Sequence, residues 1–154
     1  MTRPSVLFVC LGNICRSPMA EGALRKASHD AGIAIDVDSA GTGDWHIGRP
    51  PDPRAQLVAR EHGIDIAGYR ARQVTPHDFL RFDHILALDL QNLRDLKVIA
   101  PAREQSRLEL LMDLVPGREG TAVADPYFGD EDDFRTAWND VVRASAFLIE
   151  RLAR

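Results

Sequence analysis

The stretch VLFVCLGNICRSPMAEG, residues 6–22, places a thiol and a guanidinium six positions apart between a strand pattern and a helix pattern. Residues 6–9 are all apolar, which is typical of a strand buried on both faces of a parallel sheet. Pro18 opens an amphipathic stretch, since its fixed φ and missing N–H suit the first turn of a helix. The loop therefore joins the carboxyl end of a strand to the amino end of a helix, where α/β proteins bind anions.

The residue types in this loop are suited to holding a phosphate group. Gly12 allows a close approach of the backbone to a ligand, and Asn13 tolerates left-handed conformations. Successive N–H groups form a nest for phosphate oxygens, and Arg16 offers two of them a planar pair of donors. Cys10 would lie at the floor, where these positive ends favour a thiolate nucleophile. The predicted phosphate-binding residues are Leu11, Gly12, Asn13, Ile14, Cys15, Arg16 and Ser17.

Ser17 has two interpretations at this stage. Its hydroxyl is placed to donate a hydrogen bond to the Cys10 sulfur, which would ease the departure of that sulfur later in a reaction. It is equally placed to cap the helix that follows.

Four blocks of the chain resemble, in the same order, blocks of the low-molecular-weight protein tyrosine phosphatases. They are CLGNICRSPMAEG (10–22), SAGTGDWHIGRPPDPRA (39–55), ARQVTPHDFLRFDHILALDLQNLRDL (71–96) and ADPYFGDEDDF (124–134). The resemblance extends over essentially the whole chain. Four blocks in one order are far more specific than the Cys-to-Arg spacing alone.

The resemblance implies a nucleophile at Cys10, a phosphate ligand at Arg16 and a general acid at Asp125. Chemistry also asks for an acid, because a phenolate with a parent pKa of about 10 leaves more readily when it is protonated. Pro126 biases Asp125 toward an extended backbone that would direct its carboxylate over the loop, although Asp-Pro is also a common turn. The implied reaction passes through a phosphocysteine and uses no metal or other cofactor.

Substrate choice is expected to depend on three aromatic residues. Trp45, Tyr127 and Phe128 fall in segments that the family uses as the rim of the pocket, and aromatic walls suit a phenyl ring. Ordinary packing is the alternative interpretation. The resemblance also bears on Ile14, because relatives that resemble arginine phosphatases carry Thr there. Ile14 therefore favours phosphotyrosine over phosphoarginine.

The second cysteine of the loop has an open role. The resemblance implies that Cys15 is a resolving thiol that traps oxidised Cys10 as a disulfide; a small buried residue beneath the loop is the alternative. The chain has only two cysteines, so it lacks the further thiols of the related arsenate reductases.

Many relatives support the loop Asn with a His where this chain reads Tyr69, so support of Asn13 is expected from Tyr69 or Ser39.

Strand and helix patterns alternate along the rest of the chain, which predicts a parallel sheet with helices on both faces. The resemblance supplies a flavodoxin-like, three-layer α/β/α fold with four strands in the order 2-1-3-4. It also suggests a buried pair between Asp38 and His62, which are otherwise read as solvated residues. Further strands are predicted at 33–39, 85–88 and 108–111, with helices at 53–63, 75–82 and 89–98. A long C-terminal helix is predicted to bury Phe134, Trp138, Val141, Val142, Ser145, Leu148, Ile149 and Leu152.

Composition limits the classes of function. The 154 residues suit one domain spanning 1–154, and a net charge of −4 argues against a nucleic-acid partner. No apolar run is long enough to predict a membrane span, and two thiols that must stay reduced favour the cytoplasm. The expected partners are phosphotyrosine-containing proteins, with phosphate and other oxyanions as inhibitors, acting on a monomer. The alternatives are an arginine phosphatase or arsenate reductase on the same scaffold, and a noncatalytic phosphoprotein-binding module.

Overall fold

The computed structural model describes residues 3–102 and 106–154. Its four strands form one parallel sheet in the order β2-β1-β3-β4, which confirms the predicted fold class. The strands are β1 (Ser5–Cys10), β2 (Asp36–Gly41), β3 (His84–Ala87) and β4 (Arg107–Leu110). The helices are α1 (Arg16–Ala31), α2 (Pro53–Glu61), α3 (Asp78–Arg81), α4 (Leu90–Ile99) and α5 (Glu131–Leu152). A 3-10 turn, Leu111–Leu114, follows β4.

The central strand separates two apolar clusters. Val6 and Phe8 of β1 pack in the cluster that contains α1, α2 and α5, whereas Leu7 and Val9 pack in the one that contains Phe79 of α3. All four side chains are fully buried, as the apolar run predicts for a strand covered on both faces. This double burial fixes the carboxyl end of β1, and with it the start of the loop.

The bounds of several elements differ from the predictions. The second strand was expected at 33–39 but is Asp36–Gly41, because its parallel pairing with β1 continues to the pair Cys10 and Gly41. β4 ends one residue earlier than predicted, where the 3-10 turn begins. On α5, Val142 is 42% exposed and lies at the edge of the buried face, and the small side chains of Ala137 and Ala144 fill the core instead.

The suggested pair between Asp38 and His62 is not formed. The Asp38 carboxylate accepts a hydrogen bond from Arg72 at 3.1 Å. The His62 ring stacks on Trp138 with centroids 5.1 Å apart, and its Nδ1 lies 3.0 Å from the Val58 carbonyl. Each residue therefore has its own partner.

Among the described residues, no helix combines the length and the apolar character needed to cross a bilayer.

Candidate active site

The loop that follows β1 contains one residue in a left-handed conformation. Asn13 has φ 57°, which an Asn tolerates better than most residues. Gly12 does not have a positive φ; its missing side chain matters because a Cβ there would lie 2.9 Å from Cδ2 of His46. A side chain at position 12 would therefore displace the His46 ring from its present position.

The carbonyl groups of the loop are held by neighbouring segments. Thr42 N–H donates to Cys10 O at 2.9 Å, Gly43 N–H to Leu11 O at 2.9 Å, and Asp52 N–H to Ile14 O at 2.8 Å. Within the described ranges, the N–H groups of Gly12, Ile14 and Cys15 make no hydrogen bond to the protein. α1 also begins without a side-chain cap. Since such N–H groups carry partial positive charge, the loop and the helix end together favour an anion.

The Cys10 sulfur is buried and is surrounded by polar groups of the loop. The Asn13 N–H donates to Sγ at 3.3 Å, and the Ser17 Oγ lies 3.0 Å from Sγ. The Asn13 side-chain amide in turn donates to Ser17 Oγ at 2.8 Å. Ser17 therefore contacts the sulfur and does not cap α1. Since the Ser17 oxygen accepts from Asn13, its hydroxyl hydrogen is available to the sulfur at 3.0 Å, and the Ala40 carbonyl is a more distant acceptor at 3.5 Å.

Asn13 is supported by Ser39 and by the backbone of Arg72. The second N–H of its amide donates to Ser39 Oγ at 2.9 Å, and its Oδ1 accepts from the Arg72 N–H at 3.0 Å. Of the two expected supports, Ser39 is therefore found, and Tyr69 is not. The Tyr69 ring instead lies beneath the Arg25 guanidinium, 5.0 Å from its centroid.

The Arg16 guanidinium is buried and is held by acceptors from distant parts of the chain. Its Nη1 donates to Asp89 Oδ2 at 2.7 Å and to the Val123 carbonyl at 3.0 Å, and its Nη2 lies 3.5 Å from Asp125 Oδ2. Burial by itself would lower the pKa of Arg16, but attraction to Cys10 and the hydrogen bond to Asp89 outweigh it and raise the pKa. The group stays charged, and its orientation is set before any ligand binds.

Asp125 combines a local turn with a position over the loop. Its Oδ1 accepts from the Tyr127 N–H at 3.1 Å, while Oδ2 faces Arg16. Asp125 therefore both forms the predicted turn and lies over the loop.

Cys10, Arg16 and Asp125 line one cavity of about 180 Å³. Its lining residues are Cys10, Leu11, Gly12, Ile14, Cys15, Arg16, Trp45, His46, Asp125, Tyr127 and Phe128.

The three predicted rim residues lie at this cavity and are exposed in different degrees. Phe128 is 96% exposed, Trp45 68% and Tyr127 38%, so none of the three is a core residue. The Tyr127 and Phe128 rings meet edge to face, with centroids 4.9 Å apart. Trp45 folds over Gly43, where a Cβ would overlap the indole. Gly43 is therefore what allows the indole to lie at the cavity.

Arg54 ties the segment that contains Asp125 to the start of α2. Its guanidinium donates to the carbonyls of Tyr127 at 2.9 Å and Gly129 at 3.1 Å, and it also binds the Asp52 carboxylate. Asp52 caps α2 through the Arg54 N–H. One side chain thus links the rim that contains Tyr127 to the segment that holds the Ile14 carbonyl.

A family model for the low molecular weight phosphotyrosine protein phosphatases matches residues 5–154. The chain belongs to this family. It is 44% identical over 151 residues to the human low molecular weight phosphotyrosine protein phosphatase, covering 96% of this chain and 94% of that one. Two solved structures are also similar: YfkJ from Bacillus subtilis (TM-score 0.92, 38% identity, covering 99% and 96%) and the Drosophila arginine phosphatase (TM-score 0.90, 31% identity, covering 95% and 96%).

The protein is therefore a cysteine-dependent phosphotyrosine phosphatase, with Cys10 in its phosphate-binding loop. Sequence reasoning did not single out Asp89, His46, Arg72 and Glu21 as parts of this region of the phosphatase. Asp89 was interpreted only as the start of a helix, and it does cap α4 through the Asn92 N–H. A carboxylate at the end of the buried strand β3 is the signal that could have pointed to it, because such residues lie beside the loop that follows β1.

Proposed function

We propose that this phosphatase removes phosphate from tyrosine in proteins through a covalent intermediate on Cys10. The observation that carries the proposal is the convergence of three groups from distant positions: the Cys10 sulfur, the Arg16 guanidinium and the Asp125 carboxylate line one cavity. Thiolate, guanidinium and carboxyl groups are the nucleophile, the anion ligand and the acid that this hydrolysis requires.

In the first half of the proposed reaction, the Cys10 thiolate attacks phosphorus opposite the tyrosine oxygen. A sulfur–phosphorus bond forms, the phosphorus–oxygen bond breaks, and Asp125 gives its proton to the leaving phenolate. In the second half, Asp125 takes a proton from water as that water attacks phosphorus. The sulfur leaves as a thiolate that accepts a hydrogen bond from Ser17, and phosphate is released.

In this proposal, Arg16 and the N–H groups of residues 11–17 stabilise the negative charge of the transition state. Arg16→Lys is expected to lower kcat by about 10²-fold or more, because Lys keeps the charge but loses the fork that reaches Asp89, Val123 O and the ligand together. Steady-state turnover of para-nitrophenyl phosphate measures this. Arg118→Lys, which alters a paired arginine on Asp140 outside the cavity, is the control and is expected to leave kcat unchanged. An unchanged kcat in Arg16→Lys would mean that only the charge matters.

The substrate class is proposed to be phosphotyrosine rather than phosphoarginine. Aromatic side chains at the cavity suit a phenyl ring, and Ile14 lines it as an apolar residue. The likeness to the Drosophila arginine phosphatase makes phosphoarginine the second candidate. A competition between phosphotyrosine and phosphoarginine peptides of the same sequence separates the two, with kcat/KM expected to favour phosphotyrosine.

We further propose a monomeric, cytoplasmic enzyme, since one chain supplies every group of the site and the thiols must stay reduced.

Cys15 is proposed to act as a resolving thiol. Peroxide would oxidise Cys10 to a sulfenic acid, and attack by Cys15 would then form a disulfide and release water. Burial, with Asp52 adding to it, raises the pKa of the Cys15 thiol, so it is protonated and protected from peroxide in the resting enzyme. Cys15→Ser is expected to recover far less of its own untreated activity after peroxide and then dithiothreitol than wild type does. Equal recovery would leave Cys15 with a packing role.

A further inference from the structure

Glu21 is a buried carboxylate that the proposed hydrolysis does not use. It lies on α1 and is only 4% exposed. Its Oε1 accepts a hydrogen bond from Ser39 Oγ at 2.6 Å, and its Oε2 lies 2.6 Å from Arg25 Nη2. A buried carboxylate is costly unless its oxygens are occupied in this way. Both of its oxygens therefore require a donor opposite them.

Hydrogen bonds connect Glu21 to the nucleophile without a gap. Because Ser39 has one hydroxyl hydrogen and gives it to Glu21, its oxygen is left to accept from the Asn13 amide. The other amide N–H goes to Ser17 Oγ, which lies 3.0 Å from the Cys10 sulfur. The bonds thus diverge from the Asn13 amide: one branch runs through Ser39 to the Glu21 carboxylate, and the other runs through Ser17 to the Cys10 sulfur.

The same series orients the one left-handed residue of the loop. With its NH₂ directed to Ser39 and Ser17, Asn13 presents Oδ1 to the Arg72 N–H at 3.0 Å. These hydrogen bonds of the Asn13 side chain stabilise the left-handed backbone of the same residue, whose φ is 57°. A change in the direction of the Ser39 hydroxyl would set two donors, Ser39 and Asn13, against each other.

We propose that Glu21 is a positioning residue whose ionised carboxylate directs the hydrogen bonds that hold Asn13 and the Cys10 sulfur in their reactive arrangement. The inference rests on the proposed role of Cys10. A proton on Oε1 would make Glu21 a donor and reverse the Ser39 hydroxyl. A proton on Oε2 would place two donors opposite each other, because the Arg25 guanidinium has no acceptor atom. Neutral Glu21 therefore either reverses its hydrogen bond with Ser39 or loses its contact with Arg25, depending on which oxygen carries the proton.

Glu21 changes its charge in the range where the enzyme would be assayed. Burial, with the nearby Asp38 adding to it, raises the pKa of Glu21 from 4.5 to about 7, against the opposing effects of Ser39, Arg25 and Arg72. Tyr69, whose pKa is itself raised by burial, is a further titratable group that faces Glu21. Between pH 4.5 and 7 the folded protein binds more protons at Glu21 than the unfolded chain does, so this group's contribution to stability falls as pH rises. Activity is expected to rise over the same range.

Glu21→Gln tests the proposal, because an amide presents a donor to Ser39 or to Arg25, as neutral Glu21 would. The readout is the ratio of wild-type to variant kcat with saturating para-nitrophenyl phosphate between pH 5.5 and 8.5. This ratio is expected to be close to 1 at pH 5.5 and about 10 at pH 8, with a midpoint near the pKa of about 7. The melting temperature of Glu21→Gln at pH 8 is expected to be no lower than that of wild type.

Two further variants complete the test. Asp30→Asn removes another carboxylate of α1, which pairs with Lys26 at 3.0 Å on the surface, and is expected to keep the wild-type profile. Ser39→Ala interrupts the series of hydrogen bonds at a second point. The double variant Ser39→Ala with Glu21→Gln is expected to lose no more kcat than either single variant does. A ratio that is independent of pH, or a loss that follows the melting temperature, overturns the proposal. Because Cys10→Ser separately tests the nucleophile, a pH-independent ratio beside an inactive Cys10→Ser rejects the role of Glu21 alone.

Discussion

Cys10→Ser is expected to abolish turnover, with kcat reduced by about 10⁴-fold or more, because a serine hydroxyl is a far weaker nucleophile at neutral pH than a thiolate. Binding of inorganic phosphate is expected to survive, since the N–H groups of the loop and Arg16 remain. Hydrolysis of para-nitrophenyl phosphate and isothermal titration with phosphate measure the two effects separately.

The matched control is Cys15→Ser, the same substitution at the other buried cysteine of the loop. It is expected to keep at least a hundredfold more turnover than Cys10→Ser. Near-wild-type activity in Cys10→Ser would show that another residue attacks phosphorus. Loss of both turnover and phosphate binding would show that the substitution had collapsed the loop, and Cys10→Ala would then be measured in its place.

Asp125→Asn is expected to lower kcat by about 10²- to 10⁴-fold for phenyl phosphate, whose leaving group resembles that of phosphotyrosine. The amide keeps the acceptor for the Tyr127 N–H, so the turn is retained while the acid is lost. The loss should shrink as the leaving phenol becomes more acidic, because an acidic phenolate needs no proton. Measuring kcat over a series of aryl phosphates gives this dependence directly.

Asp132→Asn is the control for charge. Its side chain is 87% exposed and pairs with Arg135 at 3.1 Å, away from the cavity. It is expected to leave both kcat and the leaving-group dependence unchanged. An equal loss for all phenols in Asp125→Asn would assign Asp125 an electrostatic or structural role in place of proton transfer.

Local patterns account for what could be predicted of this fold. A continuous apolar run, a proline in the first helical turn and a thiol six residues before an arginine are features of neighbouring residues. They predict β1, α1 and the loop between them because strand and helix periodicities are expressed within a few residues. The order of the strands came from the resemblance, and the sheet confirms it.

Expected contacts between distant residues had mixed outcomes: Ser39 does meet Asn13, but one suggested pair is not formed. Asp38 and His62 were expected to pair, yet Asp38 lies against Arg72 and His62 against Trp138. Val142 fits the helical period but lies at the edge of the α5 face, where packing against α1 and α2 determines which positions are covered. Periodicity describes one element, and burial depends on what that element meets.

By itself, the sequence determined the strand, the loop and the helix around Cys10, together with the residue types suited to bind phosphate there. Only the tertiary structure decided that Arg16 is held by Asp89 and by Val123 O, which are 73 and 107 residues away, and that Ser39 connects Asn13 to Glu21. The physical reason is range: backbone and side-chain periodicity act between neighbours, whereas hydrogen bonds between distant residues form only where the packed layers bring donor and acceptor within about 3 Å.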